Sequence, residues 1–412
     1  MDESPRPPIF YGWIVVAAAF VCMLAIFGTA YSFAAFFESF ASEFNADRAD
    51  VALVFGLSGL LYFILGAPAG ALADRLGPRT TCTAGMAVLA LGLFAASFAN
   101  TLAVVYLAFG VGVGLGVGLV YTPAMGAVLP WFVRRRGFAS GIASSGIGAG
   151  TLVVPLAAAA LIAAFDWRVG LRVMALAIAT LGVGAAWLME KNPARRGLGP
   201  DGGPVIDPSR SAGHSALSGL TLREVLRTKQ FWWLYLATFM TAPTMFTPFA
   251  HVAVHARDLG VAEAQAVALV GLIGVGSLTG RFGIGALADR LGRLLSLVLL
   301  QGLLIATYLL WWAAPGYALL AVFAVSFGVF YGGIVSLLPP ICMDLFGGRA
   351  VSSAIGVLYS AAAVGNLAGP VAAGAAFDQW GSYTPVFVAC ALASMIGLWA
   401  GWRLLRSEPP AA

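Results

Sequence analysis

Apolar runs of about twenty residues or more, separated by short polar breaks, recur along the whole chain, and no other feature limits its fold so tightly. A helix rising about 1.5 Å per residue needs about 20 apolar residues to cross the hydrocarbon core of a bilayer. Six such runs lie near residues 10–37, 50–73, 80–99, 102–130, 138–164 and 168–189. After a polar stretch from Glu190 to Gln230, six more lie near 231–256, 262–288, 294–313, 316–343, 350–377 and 382–402. With 60% hydrophobic and only 10% charged residues, water is not this chain's main solvent. The predicted fold is an all-α polytopic membrane protein of twelve transmembrane helices: a six-helix half at 1–189, a linker at 190–230 and a second half at 231–412.

The 23 Lys and Arg residues reflect topology and not a nucleic-acid partner, since they sit in the short breaks. With the N-terminus inside, all of them except Arg48, Arg168, Arg172, Arg257 and Arg281 fall on the cytoplasmic side. The positive-inside rule then predicts a cell-membrane protein with both termini and the 190–230 loop in the cytoplasm. Met1 to Pro8 is acidic and Pro-rich, and the run behind it is too long for a signal-peptide core, so the first run is expected to remain as a span. The loop begins Gly/Pro/Ser-rich, as linkers do, and ends in Thr221-Leu-Arg-Glu224, a capping-box pattern that predicts a short interfacial helix before span seven. Cys22, Cys82, Cys342 and Cys390 lie in or beside apolar runs without CxxC spacing and are expected to be small core residues, with no disulfide, metal or cofactor framework.

Gly70-Ala-Leu-Ala-Asp74-Arg75-Leu-Gly77 recurs letter for letter as Gly285-Ala-Leu-Ala-Asp289-Arg290-Leu-Gly292, an offset of 215 residues. At the same offset Arg134 and Gly141 align with Arg349 and Gly356. Two landmarks in register point to duplication and to pseudo-symmetric halves about an axis along the membrane normal. An Asp at such a helix end can cap or pair with neighbouring ends while the Arg faces lipid phosphate. Asp74, Arg75, Asp289 and Arg290 are therefore expected to latch the halves on the cytoplasmic side.

The Gly-x3-Asp-Arg-x-Gly loop after spans two and eight resembles the signature of the major facilitator superfamily, with Pro78 where a basic residue is usual and Arg79 after it. The run from Trp131-Phe132 through Arg134-Arg135-Arg136 and Phe138-Ala139 to Gly141-Ile142-Ala143 and Ser145-Gly146 resembles the fifth-helix signature of monocarboxylate transporters and their bacterial oxalate/formate-type relatives. The resemblance implies a carrier of small organic anions that works by alternating access. There are departures. The first-helix acidic-Gly motif is reduced to Tyr11-Gly12-Trp13, and Ser277 stands where animal members place an Asp one turn before the eighth-helix Arg, so their proton relay does not carry over.

Arg281 is the one charge far from both membrane faces, about 12 Å of helix rise from Asp289 and about 27 Å from Glu263. A cation there costs above about 2.5 kcal/mol on insertion scales unless a wet cavity or a partner receives it. No acid lies at its level, so a visiting carboxylate held by its planar fork is the expected partner, with a structural ion pair as the alternative. One buried cation matches one carboxylate, and the Lys expected in span eleven of a dicarboxylate exchanger of this kind is missing. Tyr121 and Tyr331 at middle depth, Tyr31 and Asn366 are expected to hydrogen-bond the substrate, against packing and helix–helix bonding as alternatives. Phe246 reads as plain packing. His251, with His255 and Asp258 at helical spacing, is a candidate proton-coupling cluster, the alternative being a solvated helix end.

The glycines at 110, 112, 114, 116 and 118 lack the strand and Lys of a nucleotide loop and are expected to smooth a helix face; Pro243 and Pro248 are expected to bend span seven. No HExxH, nucleophile elbow or Walker lysine supports an enzyme or an ATP-driven pump. The expected function is secondary transport of lactate- or pyruvate-like monocarboxylates, with proton symport, anion exchange and a non-transporting sensor left open. The expected partners are the anion, a proton and the bilayer, with no nucleic acid.

Overall fold

The computed structural model describes residues 10–132, 136–191, 193–203, 220–347 and 351–407. Twelve long helices run through these residues: α1 Tyr11–Phe44, α2 Arg48–Leu76, α3 Pro78–Ala96, α4 Leu102–Trp131, α5 Arg136–Ala164 and α6 Trp167–Trp187. The second six are α7 Lys229–Asp258, α8 Glu263–Leu291, α9 Arg293–Trp312, α10 Tyr317–Phe346, α11 Val351–Trp380 and α12 Thr384–Leu405. Each helix falls on one of the apolar runs. Eleven of the described helices are long and apolar enough to cross a membrane. The twelfth, α7, is diluted by Thr238, Thr241, Thr244, Thr247 and His251, all of which are buried. A span wrapped in protein can carry polar groups that a lipid-facing one cannot.

Helix ends follow local chemistry. Asp166 and Thr228 cap α6 and α7 by accepting from Val169 and Phe231 backbone N–H at 2.6 and 3.2 Å. The capping box before α7 is present, with Thr221 N donating to Glu224 Oε2 at 2.7 Å ahead of the one-turn helix Leu222–Val225. The last residues of the repeated octapeptide, Gly77 and Gly292, stop α2 and α8 at φ 86° and 94°, and each returns its N–H to the carbonyl four residues back. Only glycine takes that conformation without strain, which accounts for its position in both copies. The side chains of Asp74 and Asp289 lie outside the described residues, as do Arg134 and Arg349; Arg75 and Arg290 are exposed at their helix ends.

Helix pairing repeats when six is added to each helix number. In the first half α1 lies on α5, α2 on α4, and α3 on α4 and α6; in the second α7 lies on α11, α8 on α10, and α9 on α10 and α12. The halves meet along α2–α11 and α5–α8. Backbone approach repeats in register as well. A Cβ on Gly150 would come within 2.4 Å of the Leu24 carbonyl of α1, and one on Gly365, 215 residues on, within 2.2 Å of Ala242 of α7. The α4 glycine run serves two neighbours: Gly110, Gly114 and Gly118 face α2, while Gly112 and Gly116 face α3. Exposed Trp187, Trp232, Trp399 and Trp402 mark the face that holds the start of α1 and the end of α12, here the terminal face; Trp312 and Trp380 mark the opposite, distal face.

Candidate functional site

Near mid-depth the two halves enclose a cavity of about 50 Å³, which has room for about four waters and is on the scale of a two- or three-carbon acid. The first half contributes Phe27 and Tyr31 from α1, Tyr62 and Phe63 from α2, Tyr121 from α4 and Ile147 from α5. The second contributes Phe246 and three neighbours from α7, Arg281 from α8, Tyr331 from α10 and Tyr359 from α11. Its wall is aromatic, with Phe27 edge-on to Tyr121 at 5.4 Å and Phe63 against Phe246 at 5.5 Å. Such walls hold a ligand by apolar contact and leave orientation to a few polar groups.

Arg281 is the only cation on this lining among the described residues. Its Nε donates to Ser277 Oγ at 3.3 Å, one turn back on α8, and no carboxylate lies within ion-pair distance among the described residues. Ser277 thus orients the guanidinium, and the terminal nitrogens keep the fork geometry that binds a carboxylate through two parallel bonds. The Tyr31 and Tyr331 hydroxyls are hydrogen-bonded to each other at 3.1 Å, joining the halves above the cavity. Tyr31 also stacks on Phe249 at 4.1 Å, which seals this level toward the distal face.

Beyond that seal the halves are tied by one polar knot. Arg48, at the start of α2, holds Asp258 of α7 through both guanidinium nitrogens at 2.7 Å and donates to Tyr383 Oη at 2.8 Å. Its guanidinium lies 3.7 Å from the centre of the Phe377 ring of α11. Asp378 caps the other side of the seam, accepting from the Arg48 and Ala49 backbone N–H at 3.1 and 2.9 Å. Tyr383 continues the chain to buried His251, whose Nδ1 is 3.0 Å from the hydroxyl and whose Nε2 is 2.8 Å from the Pro370 carbonyl. The carbonyl can only accept, so the network assigns the proton to Nε2, and Nδ1 accepts from Tyr383. An unbroken hydrogen-bonded line therefore runs from Asp258 through Arg48 and Tyr383 to His251.

Arg281, Tyr31, Tyr121 and Tyr331, picked from the sequence, all line one cavity, and His251 and Asp258 share one network. Asn366 stands apart in the α2–α11 seam. It is fully buried, with Nδ2 3.4 Å from the Phe55 carbonyl and packed on Gly59. His255 is not a solvated end: it accepts from the Trp311 indole at 2.9 Å. Phe246 belongs to the lining. Tyr62, Tyr359, Arg48, Tyr383 and Asp378 escaped sequence reasoning. A tyrosine in an apolar run carries no mark of which way it faces, whereas Arg48 beside Asp47 and Asp50 looks like an ordinary helix start.

The Major Facilitator Superfamily profile matches residues 18–311 and 244–412. Monocarboxylate transporter 3 of Rattus norvegicus is 30% identical over 385 residues, covering 92% of this chain and 76% of its own. Monocarboxylate transporter 13 of Bos taurus is 28% identical over 384 residues, covering 92% and 85%. Among solved structures, a bacterial homolog of the human lysosomal transporter Spinster, inward-facing and unoccupied, superimposes with a TM-score of 0.70 over 98% of this chain and 100% of that one, at 16% identity. The match to this fold agrees with the six-plus-six helix pairing, and the chain belongs to the major facilitator superfamily, in its monocarboxylate transporter-like branch, as a multi-pass membrane transporter and not an enzyme.

Proposed function

We propose that this chain is a cell-membrane carrier of small monocarboxylates, lactate- or pyruvate-like, coupled to protons and working by alternating access between halves 1–189 and 231–412. The terminal face is cytoplasmic and 190–230 is a cytoplasmic linker. Arg281 clamps the carboxylate, Tyr31, Tyr121 and Tyr331 orient it, and His251 and Asp258 carry the proton. Asp74, Arg75, Asp289 and Arg290 latch the cytoplasmic side. The observation that carries this reading is Arg281 on a small aromatic cavity with no carboxylate partner among the described residues. A mid-depth cation held open in this way suits one visiting anion of the cavity's size.

One observation favours anion exchange as a second reading: Asp258 is already committed to Arg48 at both oxygens. Labelled L-lactate uptake into proteoliposomes under an inward proton gradient, at clamped membrane potential, decides between them. Gradient-driven uptake that is lost in Arg281→Gln supports the proposal. Uptake that ignores pH and requires internal anion supports exchange, and uptake unchanged in the variant overturns the Arg281 assignment.

A further inference from the structure

Among the tyrosines on the cavity, Tyr62 has an unusual position. The residue is 3% exposed, and its enclosed hydroxyl makes no hydrogen bond of good geometry among the described residues: the Tyr31 hydroxyl beside it is bonded to Tyr331 instead. A buried phenol with no well-made hydrogen bond is destabilising, and a structure retains such a group where something else completes it. The repeat locates it. Position 62 of α2 corresponds at the 215-residue offset to position 277 of α8, where Ser277 orients Arg281 from one turn away. The pseudo-symmetry therefore sets Tyr62 in the opposite half, within about 6 Å of Arg281's depth. A three-carbon acid whose carboxylate lies on Arg281 presents the substituent of its second carbon across the cavity.

We infer that the Tyr62 hydroxyl is a specificity determinant, hydrogen-bonding an oxygen on the second carbon of the substrate and so selecting 2-hydroxy and 2-oxo acids over plain aliphatic acids of the same size. A phenol both donates and accepts, so it serves a hydroxyl and a carbonyl alike. This inference rests on the monocarboxylate reading of the Arg281 cavity.

Isobutyrate is the fitting probe, because it replaces the hydroxyl of lactate by a methyl group at nearly constant shape. Half-saturation for L-lactate and isobutyrate uptake is compared in proteoliposomes of the wild type and Tyr62→Phe. The wild type is expected to favour lactate about tenfold; Tyr62→Phe is expected to lose that preference by weakening lactate alone. A wild type that takes both acids equally overturns the inference without recourse to the variant, as does a variant that keeps the preference. A wild type that carries neither acid overturns the monocarboxylate reading and this inference with it.

Discussion

Arg281 sits at a depth where a cation is costly, with Ser277 fixing one nitrogen and a cavity receiving the rest. If the planar fork matters and not charge alone, Arg281→Lys should raise half-saturation for lactate by about 10- to 100-fold, the loss of one charge-assisted hydrogen bond, in the same uptake assay. Charge in an apolar run is conspicuous, which is why Arg281 was legible in the sequence. Tyr62 and Tyr359 were not, because only helix rotation distinguishes a tyrosine on the cavity from one in a seam. Asn366 shows the converse: its polarity suggested a ligand, yet its Nδ2 is hydrogen-bonded to a backbone carbonyl of the facing helix.

Proline in α7 leaves carbonyls without their helical donors, and a neighbouring helix supplies one. Pro248 cannot donate to the Thr244 carbonyl, and Tyr308 of α9 does so at 2.8 Å. Tyr308→Phe is expected to strand that carbonyl and lower stability by about 1–3 kcal/mol, seen as an earlier thermal melt in detergent without a change in lactate half-saturation. Glycine seams work by close approach. A Cβ on Gly112 would sit 2.8 Å from the Gly92 Cα, so Gly112→Val is expected to part α3 and α4 and lower the melt by a comparable amount, about 1–3 kcal/mol. The number of helices, most of their limits and the α4 seams followed from apolar runs and small-residue spacing, although α1 runs on to Phe44, past the run near 10–37. Partners across the bundle did not, because spacing along one helix says nothing of the rotation of another.

At the scale of the molecule, the described hydrogen bonds between the halves gather at mid-depth and at the distal end. Each ion pair or cation–π contact of the Arg48 knot is worth about 1 kcal/mol, so together they weigh on which face opens. Arg48→Gln is expected to expose the distal route, and Phe249→Cys in that background should react with an impermeant maleimide several-fold faster than in the parent; the four native cysteines are buried and should stay silent. Asp258→Asn is expected to retain lactate uptake while losing its acceleration by an inward proton gradient, read from uptake at matched and unmatched pH.

The α5–α8 seam is built differently. A Cβ on Gly274 would lie 2.8 Å from the Gly148 carbonyl, and no hydrogen bond crosses there among the described residues. Backbone resting on backbone through small groups makes a bearing surface: it keeps the two bodies in register yet has no directional bond to break when they tilt. The free-energy difference between the carrier's two poses is then set elsewhere, by a handful of polar contacts at mid-depth and at the distal rim. A substrate of only a few heavy atoms needs no more than a small difference in affinity between the poses to tip it.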